Sequence, residues 1–137
     1  MLLTMIFIEL NIIILLLLTK GELIELQYNE MDNDIRVIKL NGTLDTIGTG
    51  QIETKFTGHC SGNNVRVIVD LSEVGFLASI GIRLFMLTAK SVYKRGGRMV
   101  ILNPIPEVHN VLEVTGILSI IPVYSHLESA ETVLLAP

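Results

Sequence analysis

A single cysteine, Cys60, stands in the 137 residues, so an internal disulfide is excluded and a reducing compartment such as the cytoplasm is expected. No Cys/His spacing has the form of a metal site. His59 and Cys60 are adjacent, and neighbours along a helix do not face each other. No Gly-rich loop closed by Lys is present to cradle a nucleotide phosphate, so no cofactor is expected. Charged residues make up only 18% of the chain, the net charge is −4 and no basic stripe occurs, which argues against nucleic acid as a partner. A nucleophile elbow is missing too. It needs Gly-x-Ser-x-Gly, and around Ser79 the first of those glycine positions is Leu77. The three histidines, His59, His109 and His126, lie remote in sequence, so Ser79 has no visible general base. An enzyme is not expected.

What the chain does have is apolar content, 50% of all residues, much of it in residues 1–19. That length approaches a membrane span, yet Glu9 and Asn11 interrupt it. No Lys or Arg precedes it and no small-residue cleavage site follows, which argues against a secretory signal peptide. Glu9 and Asn11 point to nearly opposite sides of a helix, so no polar face forms; read with period 2, Ile6, Ile8, Leu10 and Ile12 line one face of a strand. A membrane anchor, an added packing element and an extended gene start all remain open. Residues 1–20 are placed outside the domain, which takes 21–137.

At 137 residues the chain holds one domain, long enough to bury a core. Residues 22–28 and 35–40 alternate as two strands of a hairpin, joined by the turn-forming NEMDND. Asp45 stands at the entry to a weak helix, whose first turn is expected to fray at Gly48 and Gly50. The chain is organised around residues 65–97. Val65 to Val69 read as a buried strand stopping at Asp70, and Leu71, Ser72 and Glu73 as a polar turn. Past Ser79 the period becomes helical, with Ile82, Phe85, Met86, Ala89 and Val92 on one face and Gly96-Gly97 at the end. Leu84, Leu87 and Ser91 form a separate stripe bordered by Arg83 and Lys90. Residues 98–102 read as another buried strand. Pro106 opens a helix with its stripe at Val108, Val111 and Leu112, residues 120–124 read as an edge strand and 126–134 as a terminal helix packing through Leu127, Ala130 and Leu134. Strands alternating with helices indicate an α/β layer structure.

Ser79 falls at the start of the long helix, where serine is a favoured N-cap, so the pattern by itself reads it as a cap. Asp45 and Asp70 likewise admit two readings, helix capping and strand-end solvation, or a docking surface on the edge where Ser79 lies.

Several motifs at matching spacing resemble the STAS domain of bacterial anti-sigma factor antagonists. GTLDT (Gly42 to Thr46) is similar to that family's Gly-x-Leu-Asp element. The run from Asp70 through Phe76, the helix ending in Gly96-Gly97, the strand ending at Asn103-Pro104 and Leu112 to Leu118 follow in the family's order. Ala78 departs from the family's frequent Asp, and Ile80 from its second Ser. The resemblance covers about residues 22 to 134. It implies a single STAS-like α/β domain with a mixed sheet of four or five strands and helices mainly on one face. It also implies a non-catalytic, cytoplasmic switch that binds an anti-sigma factor of the serine-kinase type and is turned off by phosphorylation of Ser79. Partner binding is expected at Asp45, Asp70, Ala78, Ile80, Gly81, Arg83, Leu84 and Leu87. A homodimer is compatible with the sequence. The competing expectation is a membrane-associated STAS module of a transport or lipid-trafficking system, attached through residues 1–19.

Overall fold

The computed structural model describes residues 2–19 and 24–137. The elements run α1 (Leu2–Thr19), β1 (Glu25–Glu30), β2 (Ile35–Leu44), α2 (Thr46–His59), β3 (Arg66–Leu77), α3 (Ser79–Lys94), β4 (Arg98–Leu102), α4 (Pro106–Thr115), a 3-10 turn (Ile117–Ser119), β5 (Val123–Tyr124) and α5 (Leu127–Leu135). One sheet carries the strands in the order β1-β2-β3-β4-β5. The β1/β2 hairpin is antiparallel and every other pairing is parallel. This is the expected mixed sheet. Pro122 leads into β5 at the edge, where its missing N–H costs no ladder bond.

The apolar runs in β3 and β4 follow from burial on both faces, as in parallel sheets generally. Val67, Val69 and Leu71 belong to the larger core with Phe56 of α2, Phe85 of α3 and Leu112 of α4. Ile68 faces the other way, with Ile35, Val100 and Leu102, into a smaller core closed by Ala130 and Leu134 of α5. Three helices therefore cover one face and one covers the other. Phe56 and Phe85 tie α2 to α3 with ring centroids 5.4 Å apart.

Three expectations change. Residues 2–19 form a helix rather than an extended segment. No Gly or Pro interrupts them, and a helix satisfies its own backbone where a lone strand cannot. The expected strand start at residue 22 and the domain boundary at 20/21 lie outside the described residues. Among the described residues no helix is long and apolar enough to cross a membrane. The polar triplet Leu71-Ser72-Glu73 does not turn: β3 runs on through it to Leu77, paired with β2 through two register shifts opposite Lys39 to Thr43, at each of which β3 carries one extra residue. Glu73 holds that pairing at the surface, 3.1 Å from Lys39 Nζ and accepting a 2.6 Å hydrogen bond from Asn41 Nδ2. Leu127, expected to pack, is exposed at the first position of α5.

The length of β3 positions everything that follows. Only Arg66 to Asp70 pair with β4, whereas the stretch up to Leu77 pairs with β2 alone among the described residues. β2 spans the same arm from Lys39 to Leu44, so at ~3.3 Å per residue the β2/β3 arm extends about 17 Å beyond the β4 pairing.

Candidate functional site: two helix starts at the end of the β2/β3 arm

Leu44 and Leu77 are register partners at the end of the arm, and the Ala78 N–H donates to Leu44 O at 2.9 Å. Each strand passes into a helix after a single linking residue, Asp45 before α2 and Ala78 before α3. The N-termini of two helices are thereby set side by side.

They are capped differently. Asp45 is the N-cap of α2, its Oδ1 accepting from Gly48 N at 2.7 Å. That bond holds the turn expected to fray. Gly48 is buried, and a Cβ there would lie 2.0 Å from Thr43 O, so only glycine lets α2 approach β2 this closely. The N-cap of α3 is Ala78, which has no side-chain cap bond. Ser79 is thus the first helical residue and not the cap, and its exposed hydroxyl makes no hydrogen bond among the described residues. The capping reading of Ser79 fails because the helix begins one residue earlier than the pattern implied.

Ile80, Arg83 and Leu87 are exposed along α3 below Ser79. Ile80 is 40% and Leu87 53% exposed; Ile47 on α2 and Phe76 at the end of β3 extend the apolar surface at 60% and 54%. Sequence reasoning missed Ile47 and Phe76, whose exposure depends on where the helices leave the strands. The one available signal was that each stands within three residues of Asp45 or Ser79.

Three expected docking residues are placed otherwise. Asp70 is not at a strand end but seven residues before Leu77, about 17 Å back along the arm as measured on its β2 partners Lys39 to Leu44. It lies on the sheet face of Ile68, accepting from Ser72 N at 2.9 Å, and is not brought together with Asp45 and Ser79. Gly81 is buried, and a Cβ there would sit 2.7 Å from Leu77 Cδ1 and 3.3 Å from Leu44 Cβ, so its small size serves packing of α3 on the arm. Leu84 is buried in the larger core and shows only part of its side chain to the groove between α2 and α3.

The opposite end of α2 is clamped by two arginines. Arg36 Nη1 donates to His59 O (2.9 Å) and Ser61 O (2.7 Å), and Arg95 donates to Cys60 O and Gly62 O, both at 2.8 Å. Cations suit a helix C-terminus. Arg95, the C-cap of α3, serves α2 as well. Between the arginines, burial pushes the Cys60 thiol up from 9.0 to about 12, with both guanidiniums opposing the shift. Tyr28 stacks on His59 with ring centroids 4.0 Å apart. No cluster of three metal-ligating side chains occurs among the described residues.

Comparison with known proteins agrees with this geometry. The profile of the STAS domain matches residues 28–130. BtrV of Bordetella bronchiseptica, named as an anti-sigma factor antagonist, is 31% identical over 91 residues, covering 66% of this chain and 78% of that protein. The crystal structure of an anti-sigma factor antagonist from Mycobacterium paratuberculosis superposes with a TM-score of 0.74 at 22% identity, over 82% of this chain and 95% of that one. The Bacillus cell fate determinant SpoIIAA in its phosphorylated form superposes with a TM-score of 0.60 at 22% identity, over 80% and 99%. Strand order, the paired helix starts and a profile match over most of its length place the chain in the STAS domain family, to which it belongs.

Proposed function

We propose that this protein is an anti-sigma factor antagonist, a non-catalytic binding switch. In its unmodified state it binds an anti-sigma factor of the serine-kinase type through the surface around Ser79, and phosphorylation of Ser79 turns it off. The observation that carries the reading is the free Ser79 hydroxyl, exposed at the first residue of α3 with no structural bond to give up. Ile47, Phe76, Ile80 and Leu87 surround it with an apolar docking surface edged by Arg83. Phosphorylation adds about 1.5 to 2 negative charges at neutral pH, and a helix N-terminus accommodates them, so the fold survives. The damage falls on the interface, where a surface suited to a neutral hydroxyl receives charge beside the Asp45 carboxylate. With Asp70 far along the strand, Asp45 supplies the local repulsion alone of the two. Binding is lost without a large conformational change. The protein acts in the cytoplasm, where its partner kinase and ATP are found.

The test uses the full chain, a serine-kinase anti-sigma factor from the same cell and ATP. Stoichiometric phosphate incorporation that disappears in Ser79→Ala, together with loss of complex on phosphorylation, is the expected result. Incorporation at another residue, or none, overturns the switch.

A second reading, attachment to membranes through α1, draws support from the exposed Leu3, Phe7, Leu10 and Ile13 of that helix. Flotation of the full chain with phospholipid vesicles supports it, and recovery only in the lipid-free fraction ends it.

A further inference from the structure

Between α2 and α3, below Ser79, runs a groove of about 680 Å³. That volume falls within the roughly 300–1,000 Å³ of small-molecule sites. Its α3 wall presents Leu84 and Leu87, and its α2 wall Thr49 and Glu53. Thr49 is only 2% exposed, and its Oγ1 is buried without a hydrogen-bond partner. Buried hydroxyls are almost always paired, so an orphan on the wall of a groove marks a place where an acceptor is missing. No neighbouring group supplies it in this structure. Thr88 Oγ1, which donates to Leu84 O at 2.7 Å, and the Glu53 carboxylate on the same wall take no hydrogen bond from Thr49, and Arg95 at the far end is a donor only. Arg83, which also lines the groove, makes no hydrogen bond or ion pair among the described residues.

We propose that this groove binds a small amphipathic carboxylic acid. The carboxylate accepts from Arg83 and from the Thr49 hydroxyl, which turns about its Cα–Cβ bond to meet it, and the apolar tail lies along Leu84 and Leu87. Arg83 matches a carboxylate as a planar, permanently charged donor. Glu53, one turn past Thr49 on α2, repels an anion further down the groove and so fixes the head group at the Arg83 end. The groove shares Ile80, Arg83 and Leu87 with the docking surface proposed around Ser79, but binding the acid requires neither a protein partner nor phosphorylation.

Octanoate is the probe. The full chain, with labelled methyl groups, is titrated with octanoate and separately with 1-octanol while methyl resonances are followed by NMR. The expected result is saturable shifts at Thr49, Leu84, Leu87 and Thr88, with octanol binding at least about tenfold more weakly for want of a charge-assisted hydrogen bond. Arg83→Gln is expected to weaken octanoate by a similar factor, and Thr49→Val, which keeps the shape, by a few-fold. Shifts confined to residues 3–14 would mean partition onto α1 and overturn the proposal. Equal affinity for octanoate and octanol, or a linear response without saturation, also overturns it, and this comparison holds even where a variant fails to fold.

Discussion

Ser79 sits where a hydroxyl contributes nothing to the helix it begins, because Ala78 occupies the cap. Ser79→Ala is therefore expected to change stability by no more than about 0.5 kcal/mol, the usual range for a surface substitution. Ser79→Asp should be neutral to stabilising by about 0.3–1 kcal/mol, since a carboxylate suits the positive end of α3. Partner affinity should move the other way, with Ala binding constitutively and Asp binding more weakly. Melting temperature and affinity measured on the pair test this, and equal affinity of wild type, Ala and Asp would leave Ser79 without a switching role. Cys60 gives a second prediction at this scale. Its raised thiol pKa means that the folded state holds the proton more tightly than the unfolded chain. The resulting stability is fully present below 9.0 and is lost as pH rises toward about 12. The stability difference between wild type and Cys60→Ala should thus be flat from neutral pH to about 9 and shrink above it. In the native state the buried thiol should resist a thiol-reactive dye at pH 8 and react once urea unfolds the chain.

At the scale of elements, α2 shows how a poor helix former is made to fold. Two glycines near its start have opposite meanings. Gly48 lies against the Thr43 carbonyl, whereas a Cβ on Gly50 would meet nothing within 4 Å. Gly50→Ala should stabilise the protein by up to about 1 kcal/mol through helix propensity. Gly48→Ala should destabilise it by about 1–3 kcal/mol or more, since a backbone carbonyl cannot rotate away as a side chain can. Denaturant unfolding of the two variants tests the contrast, and the same sign for both would contradict this packing of α2 on β2. Arg36 and Arg95 hold the other end of α2 through four carbonyl bonds. Arg95→Met keeps most of the stem but abandons the Cys60 and Gly62 carbonyls. It should raise hydrogen exchange in residues 58–62 before it lowers global stability, because charge-assisted bonds of this kind contribute about 1.5–3 kcal/mol.

For the whole molecule, the domain boundary carries the remaining prediction. Among the described residues the two cores draw on Ile24 onward, and the side chains of Leu3 to Ile14 are exposed. Residues 21–137 alone are expected to fold cooperatively, with a melting temperature within a few degrees of the full chain and lower aggregation. An unfolded truncation by circular dichroism would make α1 part of the domain.

The sequence by itself determined the α/β class, the order of the strands along the chain and the span of β4. Each of these follows from local periodicity: the two-residue alternation of a strand, the 3.6-residue stripe of a helix, and breakers such as Asn103-Pro104 and Gly116. Only the tertiary structure decided that Leu71-Ser72-Glu73 continues a strand, because β2 is the partner that accepts their backbone groups. The same long strand carried Asp70 away from Asp45 and Ser79, although nothing in the residues themselves distinguishes a strand end from a strand middle. Gly81 could be assigned to the interior only once Leu44 and Leu77 were seen beside it. The orphan hydroxyl of Thr49 and the arginine clamp on α2 were likewise beyond reach, since the Arg36–Ser61 and Arg95–Cys60 bonds join residues 25 and 35 positions apart. Periodicity reports which side of an element is buried, but contacts between elements depend on where their ends meet, and here two register shifts between β2 and β3 and one long strand set that meeting point.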